Sequence, residues 1–229
     1  VDLLVVPYGG SPALFSNLRD GTFRDVAPAT GLPPSAQYTA VAAGDVNKDG
    51  AADFFFGRAG AAGVLVMSNG PGRFTVTAAP EGTRDGVAAQ FVDYDNDGLL
   101  DLFVLTTTGA RLWRNVGSAW IDVTARALPE DSSNAQDPPR ALAIGDLDGD
   151  GDADAIIRLA SGRIRAWRNE GGSRRASLHV RLTARVSNRS GIGANVELRA
   201  GSLRQEIETS SATPPVGPSD VLFGLGPRD

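Results

Sequence analysis

The stretch GDLDGDGDAD, residues 145–154, places five aspartates within nine positions. Like charges a few ångströms apart repel, and each carboxylate wants water. In isolation three readings fit such a cluster: a solvated acidic turn, a catalytic carboxylate pair, or the cage of a cation. The pattern occurs twice more in the chain. DVNKDGAAD (45–53) and DYDNDGLLD (93–101) align with DLDGDGDAD (146–154), and starts 48 and 53 residues apart mark a repeat architecture.

The flanks repeat with the loops. A short apolar segment precedes each one (TAVAAG, VAAQFV, ALAIG) and an unbroken apolar run follows (FFFG, LFVL, AIIR). DLLVV near the N-terminus matches the second segment, with Asp2 in the place of Asp53, Asp101 and Asp154, so the chain is expected to open partway through a repeat. ALFSN (13–17), VLVMSN (64–69), RLWRN (111–115) and RAWRN (165–169) come next and are aligned on their final Asn. GTFRDV, GRFTVT and AWIDVT then supply aromatic, alternating, β-prone segments. One repeat thus reads as four short strands in about 50 residues, with Gly-rich turns and no helical periodicity, the pattern of a propeller blade. An inner strand covered on both faces by neighbouring blades loses its in-out alternation, which accounts for the unbroken apolar run. A parallel β-helix is the alternative, but its rungs are shorter.

The expected fold is all-β: three full propeller-type blades plus a partial N-terminal blade, with a small C-terminal β module. Propellers usually have four to eight blades. The chain is therefore expected to be a fragment of a larger propeller, or else a small ring closed with help from the C-terminal module. The rhythm stops after Asn169, where NEGGSRR (169–175) reads as a linker. SLHVRLTA, SNRSGIGANVELRAG, LRQEIETS and VLFGLG then read as half-exposed strands around the Pro-rich loop TPPVGPSD (213–220). The expected division is repeats over 1–172 and module over 173–229, the module either standing apart or packing on the open end of the repeats.

Composition narrows the function classes. With 229 residues, 41% of them hydrophobic, the chain can bury a core. No segment approaches the ~18 consecutive apolar residues of a membrane span. VDLLVVPYGG has neither a basic leader nor a cleavage-like site, so it does not read as a signal peptide. The absence of cysteine excludes disulfides and thiolate metal sites, and a net charge of −5 argues against nucleic acid as a partner. Trp113 and Trp167 recur at one repeat position, as do Phe23, Phe74 and Trp120, and recurrence in every blade points to inter-blade packing rather than to sugar stacking.

Positions 1, 3, 5 and 9 of each loop carry an oxygen-bearing side chain: Asp45, Asn47, Asp49, Asp53; Asp93, Asp95, Asp97, Asp101; Asp146, Asp148, Asp150, Asp154. Glycine follows position 5 each time and permits a tight curl. Ca2+ takes six to eight hard oxygens in flexible geometry. Alternate side chains on a curled loop can supply them, with the carbonyl of position 7 (Ala51, Leu99, Asp152) as backbone ligand. About three Ca2+ sites are expected, holding the loops in shape. These loops are not EF-hands, because position 12 is Phe56, Val104 or Ile157 where that motif needs Glu. Mg2+ prefers rigid octahedral sites that keep several waters, and Zn2+ would find only His179.

The DxDxDGxxD loop between strands resembles the FG-GAP, or VCBS, propeller repeat of integrin α-subunit heads and secreted bacterial proteins. SNRSGIGANVELRAG (187–201) and FGLG (223–226) resemble the ASPIC/UnbV module, which follows such repeats in bacterial secreted proteins and in animal proteins of the cartilage acidic protein 1-like kind. The resemblance implies a secreted or periplasmic calcium-binding propeller used in adhesion or protein interaction. Two departures stand out: Phe56-Gly57 is followed by RAGAAG without the Gly-Ala-Pro half of the signature, and SSATPPVGPSD replaces the Tyr- and Gln-bearing segment usual before the module's last strand.

No catalytic constellation emerges. His179 lies on an alternating strand, Glu81, Asp85, Glu130 and Asp131 fall in turns without a marked pair, and no phosphate-cradling glycine loop is present. The expected protein is a non-enzymatic scaffold with a protein or glycan partner at the cell surface or matrix. The alternative is a calcium-dependent carbohydrate-binding module, or the non-catalytic part of a secreted polysaccharide- or lipid-acting enzyme.

Overall fold

Strands and aspartate loops alternate in the computed structural model, which describes residues 2–129, 132–133, 135–170, 175–183, 185–186, 188–189, 191–201, 203–209 and 220–226. Glu130 and Asp131, linker residues 171–174 and residues 213–219 of the Pro-rich loop lie outside the described residues. The N-terminal strands are β1 (Leu3–Val5), β2 (Tyr8–Gly10), β3 (Ala13–Asn17) and β4 (Phe23–Asp25). β1, β3 and β4 form one antiparallel sheet, whereas β2 leaves it and pairs with the first strand of the next. That next sheet comprises β5 (Ala36–Gly44), β6 (Asp53–Arg58), β7 (Ala61–Ser68) and β8 (Phe74–Ala78) in chain order. β9 (Gly86–Val92), β10 (Asp101–Thr106), β11 (Gly109–Asn115) and β12 (Trp120–Asp122) repeat it, followed by the one-turn helix α1 (Thr124–Ala127). β13 (Pro139–Gly145), β14 (Asp154–Leu159) and β15 (Ile164–Trp167) form a three-stranded sheet. Each aspartate loop joins the first two strands of its blade, and β9 packs against both β5 and β13.

The apolar runs of β6 and β10 are buried on both faces, whereas β14 leaves Arg158 exposed. Side chains alternate across a strand. In β6, Phe54 and Phe56 turn toward the N-terminal sheet and meet Tyr38, Val64, Val66, Leu4 and Val6. Phe55 turns the other way, onto Leu102, Val104 and Trp113 of the following blade. β10 repeats the division, with Phe103 and Leu105 packed on Ala155, Ile157 and Leu159 of the third blade. Full burial of one such side chain contributes roughly 1.5–3 kcal/mol, so these central strands hold the stack together. Leu3 and Val5 occupy the register of Phe54 and Phe56 yet are 47% and 46% exposed, because the described residues place no blade before them.

Four of the five recurring aromatics are packing residues, whereas Phe23 is exposed. Trp113 is buried, Trp167 stacks on Phe103 with ring centroids 6.4 Å apart, and Trp120 stacks on Phe91 at 6.4 Å. Phe23, Phe74 and Trp120 pair with Asn17, Ser68 and Asn115 respectively. This register corrects one landmark: Ser68, and not Asn69, is the counterpart of Asn17, Asn115 and Asn169. Strand pairing sets the register, and Asn69 lies one residue beyond the end of β7, in the turn.

The C-terminal segment forms two antiparallel pairs, β16 (Ser177–Arg181) with β19 (Asp220–Gly224) and the hairpin of β17 (Asn195–Ala200) with β18 (Leu203–Glu208). Leu203, Val221 and Phe223 are its buried apolar residues. It packs on the loop end of the blades. A β-carbon added at Gly98 would overlap Gln205 Nε2, one at Gly151 would overlap Ser177 Oγ, and one at Gly224 would overlap Asp93 Oδ2. Glu206 approaches Gly50 in the same way, at van der Waals distance. Gly226 donates its N–H to the Asn96 carbonyl at 2.9 Å. The glycines of the aspartate loops thus form the floor on which this module sits.

Candidate metal centre

Two left-handed residues curl each loop. Position 4 is Lys48, Asn96 or Gly149 at φ 62°, 53° and 82°, and position 6 is Gly50, Gly98 or Gly151 at φ 82°, 86° and 88°. Only glycine takes such angles without steric cost, with Asn next best. The curl wraps backbone N–H groups around the position-1 carboxylate. Asp93 accepts from Asp97 N at 3.0 Å and Gly98 N at 2.7 Å; Asp45 accepts from Asp49 N and Gly50 N; Asp146 accepts from Gly149 N and Gly151 N. Position 5 closes a local turn, since Asp49, Asp97 and Asp150 each accept the N–H of position 7 at 2.9 Å.

Position 9 acts as a clamp. Asp101 Oδ1 accepts Asn115 N at 2.7 Å and Oδ2 accepts Tyr94 N at 3.1 Å, which ties β10 to the end of β11 and the start of the loop. Asp53 does the same with Ser68 and Val46, and Asp154 with Asn169 and Leu147. Asp2 accepts Asn17 N at 2.8 Å, in keeping with its repeat position. All three loop clamps are buried.

Oxygens converge in two loops. Carboxylate oxygens of Asp93, Asp95 and Asp101 lie within 4.8 Å of one another, as do those of Asp146, Asp148 and Asp154. In loop 1 Asn47 stands at position 3, and Asp45, Asp49 and Asp53 form no such group among the described residues. Asp97 and Asp150 lie outside the two groups. The Asp152 side chain is buried and turned away, accepting Asn96 Nδ2 at 2.5 Å. Burial raises the carboxyl of Asp53 to about 6, of Asp93 to about 7 and of Asp101 to about 9, with neighbouring aspartates adding to the shift. Asp45 and Asp95 move in the same direction, again chiefly through desolvation. Such a set is held in its charged form only at a cost, which a cation would offset. Asp95 Oδ1 is a buried oxygen that accepts no hydrogen bond. A hard divalent ion fits that donor set.

Two kinds of partner escape a reading of the loops alone. Asn115 Nδ2 donates to Val46 O at 2.8 Å and Leu100 O at 3.1 Å, and Asn169 Nδ2 donates to Tyr94 O at 2.8 Å. Each latches the third strand of one blade to the aspartate loop of the blade before. Arginines also enter the loops: Arg114 lies 2.8 Å from Asp95 and 2.5 Å from Asp97, Arg168 3.1 Å from Asp148, and Arg175 3.2 Å from Asp95. The signal for the asparagines and for Arg114 and Arg168 was the recurring Trp-Arg-Asn of RLWRN and RAWRN, which does not reach Arg175.

Residues 1–56, 49–104 and 93–157 each match the FG-GAP-like repeat family. The chain is also similar to cartilage acidic protein 1 of Xenopus tropicalis, with 32% identity over 163 residues, 65% of this chain and 25% of that protein. Similarity to cartilage acidic protein 1 of Mus musculus is 28% over 160 residues, with the same coverage. The chain therefore spans about a quarter of the length of these relatives. Among the described residues no helix is long and apolar enough to cross a membrane.

Proposed function

Because this chain belongs to the FG-GAP-like repeat family, we propose that it is an extracellular or periplasmic calcium-binding scaffold for adhesion or protein interaction, without catalytic activity of its own. The observation that carries this reading is the convergence of Asp93, Asp95 and Asp101, of which Asp95 has a buried oxygen that accepts no hydrogen bond. Asp45, Asn47, Asp49 and Asp53 would hold an ion in loop 1, with the equivalent side chains in loops 2 and 3 and the carbonyls of Ala51, Leu99 and Asp152. Calcium would supply the charge that lets the buried Asp53, Asp93 and Asp101 ionise, and would fix the connection between the first two strands of each blade. Affinity on the order of 10⁻⁴ to 10⁻³ M suits an extracellular module. The repeats would occupy residues 1–172 and an ASPIC/UnbV-like module residues 173–229, the module seated on the calcium loops.

A glycan-binding reading has one observation in its favour. Tyr8 and Phe23 of the N-terminal strands are 68% and 46% exposed, and exposed rings can stack on sugars. A glycan array probed with and without calcium separates the two readings. The scaffold reading predicts no calcium-dependent glycan signal; such a signal, lost in Tyr8→Ala, would transfer the function to the carbohydrate-binding alternative.

A further inference from the structure

In loops 2 and 3 the position-3 aspartate is matched by an arginine from the third strand of its own blade. Arg114 Nε lies 2.8 Å from Asp95 Oδ2, and Arg168 Nη1 lies 3.1 Å from Asp148 Oδ2. Loop 1 has lost both members of the pair. Its position 3 is the neutral Asn47, and the register that sets Phe54 against Val66 and Leu102 against Trp113 puts Met67 where Arg114 stands. Within one chain the extra carboxylate and the arginine are gained or lost together, as expected of groups that neutralise each other.

Loop 2 carries a second arginine, from the C-terminal module. Arg175 Nη1 lies 3.2 Å from both the Asp95 carbonyl and Asp95 Oδ2, and 3.7 Å from Asp97 Oδ2. Arg114 Nη2 reaches the same Asp97 oxygen at 2.5 Å. Asp95 and Asp97 are largely buried, with side chains 17% and 12% exposed, so water screens these pairs poorly. Two guanidiniums therefore neutralise the position-3 and position-5 carboxylates through their Oδ2 atoms, leaving Asp95 Oδ1 as the oxygen open to a cation at this loop. A dication and two monocations cannot share these carboxylates without strong repulsion.

We propose that Arg114 and Arg175 guard the second loop, competing with a divalent cation for Asp95 and Asp97 and making loop 2 the weakest of the three cation sites. This rests on the reading of the loops as calcium sites. The coupling is reciprocal: cation binding at loop 2 loosens the Arg175 contact of the module by the same free energy with which that contact opposes the cation. Among the described residues loop 1 has no such arginine, and loop 3 has only Arg168, which it shares with Glu170.

Calorimetric titration of the full chain with calcium tests the proposal, using wild type, Arg175→Gln and Arg114→Met, the last copying the residue at the matching place of the first blade. Either substitution is expected to tighten one site about five-fold or more, the usual scale of such couplings, and to leave the number of sites unchanged. Arg199→Gln removes the same charge from an exposed arginine paired with Glu197 and is expected to leave every site as in wild type. Unchanged or weakened affinity in both variants overturns the proposal, as does an equal gain in Arg199→Gln. Wild-type calcium binding with no response to Arg175→Gln or Arg114→Met rejects the guard alone, whereas no calcium heat in any protein rejects the calcium reading with it.

Discussion

Ten millimolar calcium is expected to raise the melting temperature of EDTA-treated protein by about 10–30 °C at pH 8, and by much less at pH 5. A ligand that binds only the folded state stabilises it by mass action, about 1.4–2.7 kcal/mol per site at ten to a hundred times Kd. Each kcal/mol moves the midpoint of a domain this size by about 2–4 °C, and three sites act together. The pH dependence follows from the raised carboxyls. Asp53, Asp93 and Asp101 hold protons up to about 6, 7 and 9 in the ion-free fold, against an ordinary value of 3.8. Their protons are bound more tightly in the folded state, so ion-free stability is greatest near pH 4 and falls as pH rises through those values. Calcium replaces the protons, and its effect grows over that window. Melting curves at pH 5 and pH 8, with and without calcium, measure it. A calcium shift that is absent, or equal at both pH values, contradicts the account.

Asn115→Ala is expected to lower the melting temperature by about 10 °C whether or not calcium is present. The side chain is 4% exposed and makes three hydrogen bonds: to Val46 O, to Leu100 O and from Gly117 N. Truncation leaves two carbonyls and an N–H without their partner, at about 1–3 kcal/mol for each buried group. The Val46 bond crosses from one blade to the loop of another, so its loss separates elements that local pairing does not reconnect. The residue carries no charge, and the effect should not vary with pH between 5 and 8. A melting point within about 2 °C of wild type would show that hydrophobic contacts alone hold the blades in register.

The blades were legible because their physics is periodic. FFFG and LFVL follow the aspartates of β6 and β10 as unbroken apolar runs, and such a run fits a strand between two cores. The aspartate loops announced themselves by charge, and their glycines by the curl. Three features were not legible. β2 is three residues, YGG, with no apolar pattern, and it joins its sheet only because the chain delivers it to the edge of β5. The seating of the C-terminal module depends on Gly98, Gly151 and Gly224 meeting Gln205, Ser177 and Asp93, contacts between residues far apart in sequence. The side-chain oxygens at position 5 looked equivalent to the rest, yet Asp97 and Asp150 stand outside the convergent groups, each bonded to the N–H of position 7. The Asp152 side chain is turned onto Asn96, which joins loop 3 to loop 2.

The central claim is that the loops are cation sites whose ligands are the alternating aspartates. Asp148 is the place to test it, because its carboxylate is partly exposed and among the described residues its one ion pair is with Arg168, so the variant is expected to keep the fold. Calcium titration calorimetry on wild type and Asp148→Ala, at pH 8, is the direct measurement. The account predicts about three sites in wild type and one fewer in the variant over the millimolar range. Equal stoichiometry and affinity in the two proteins would contradict it.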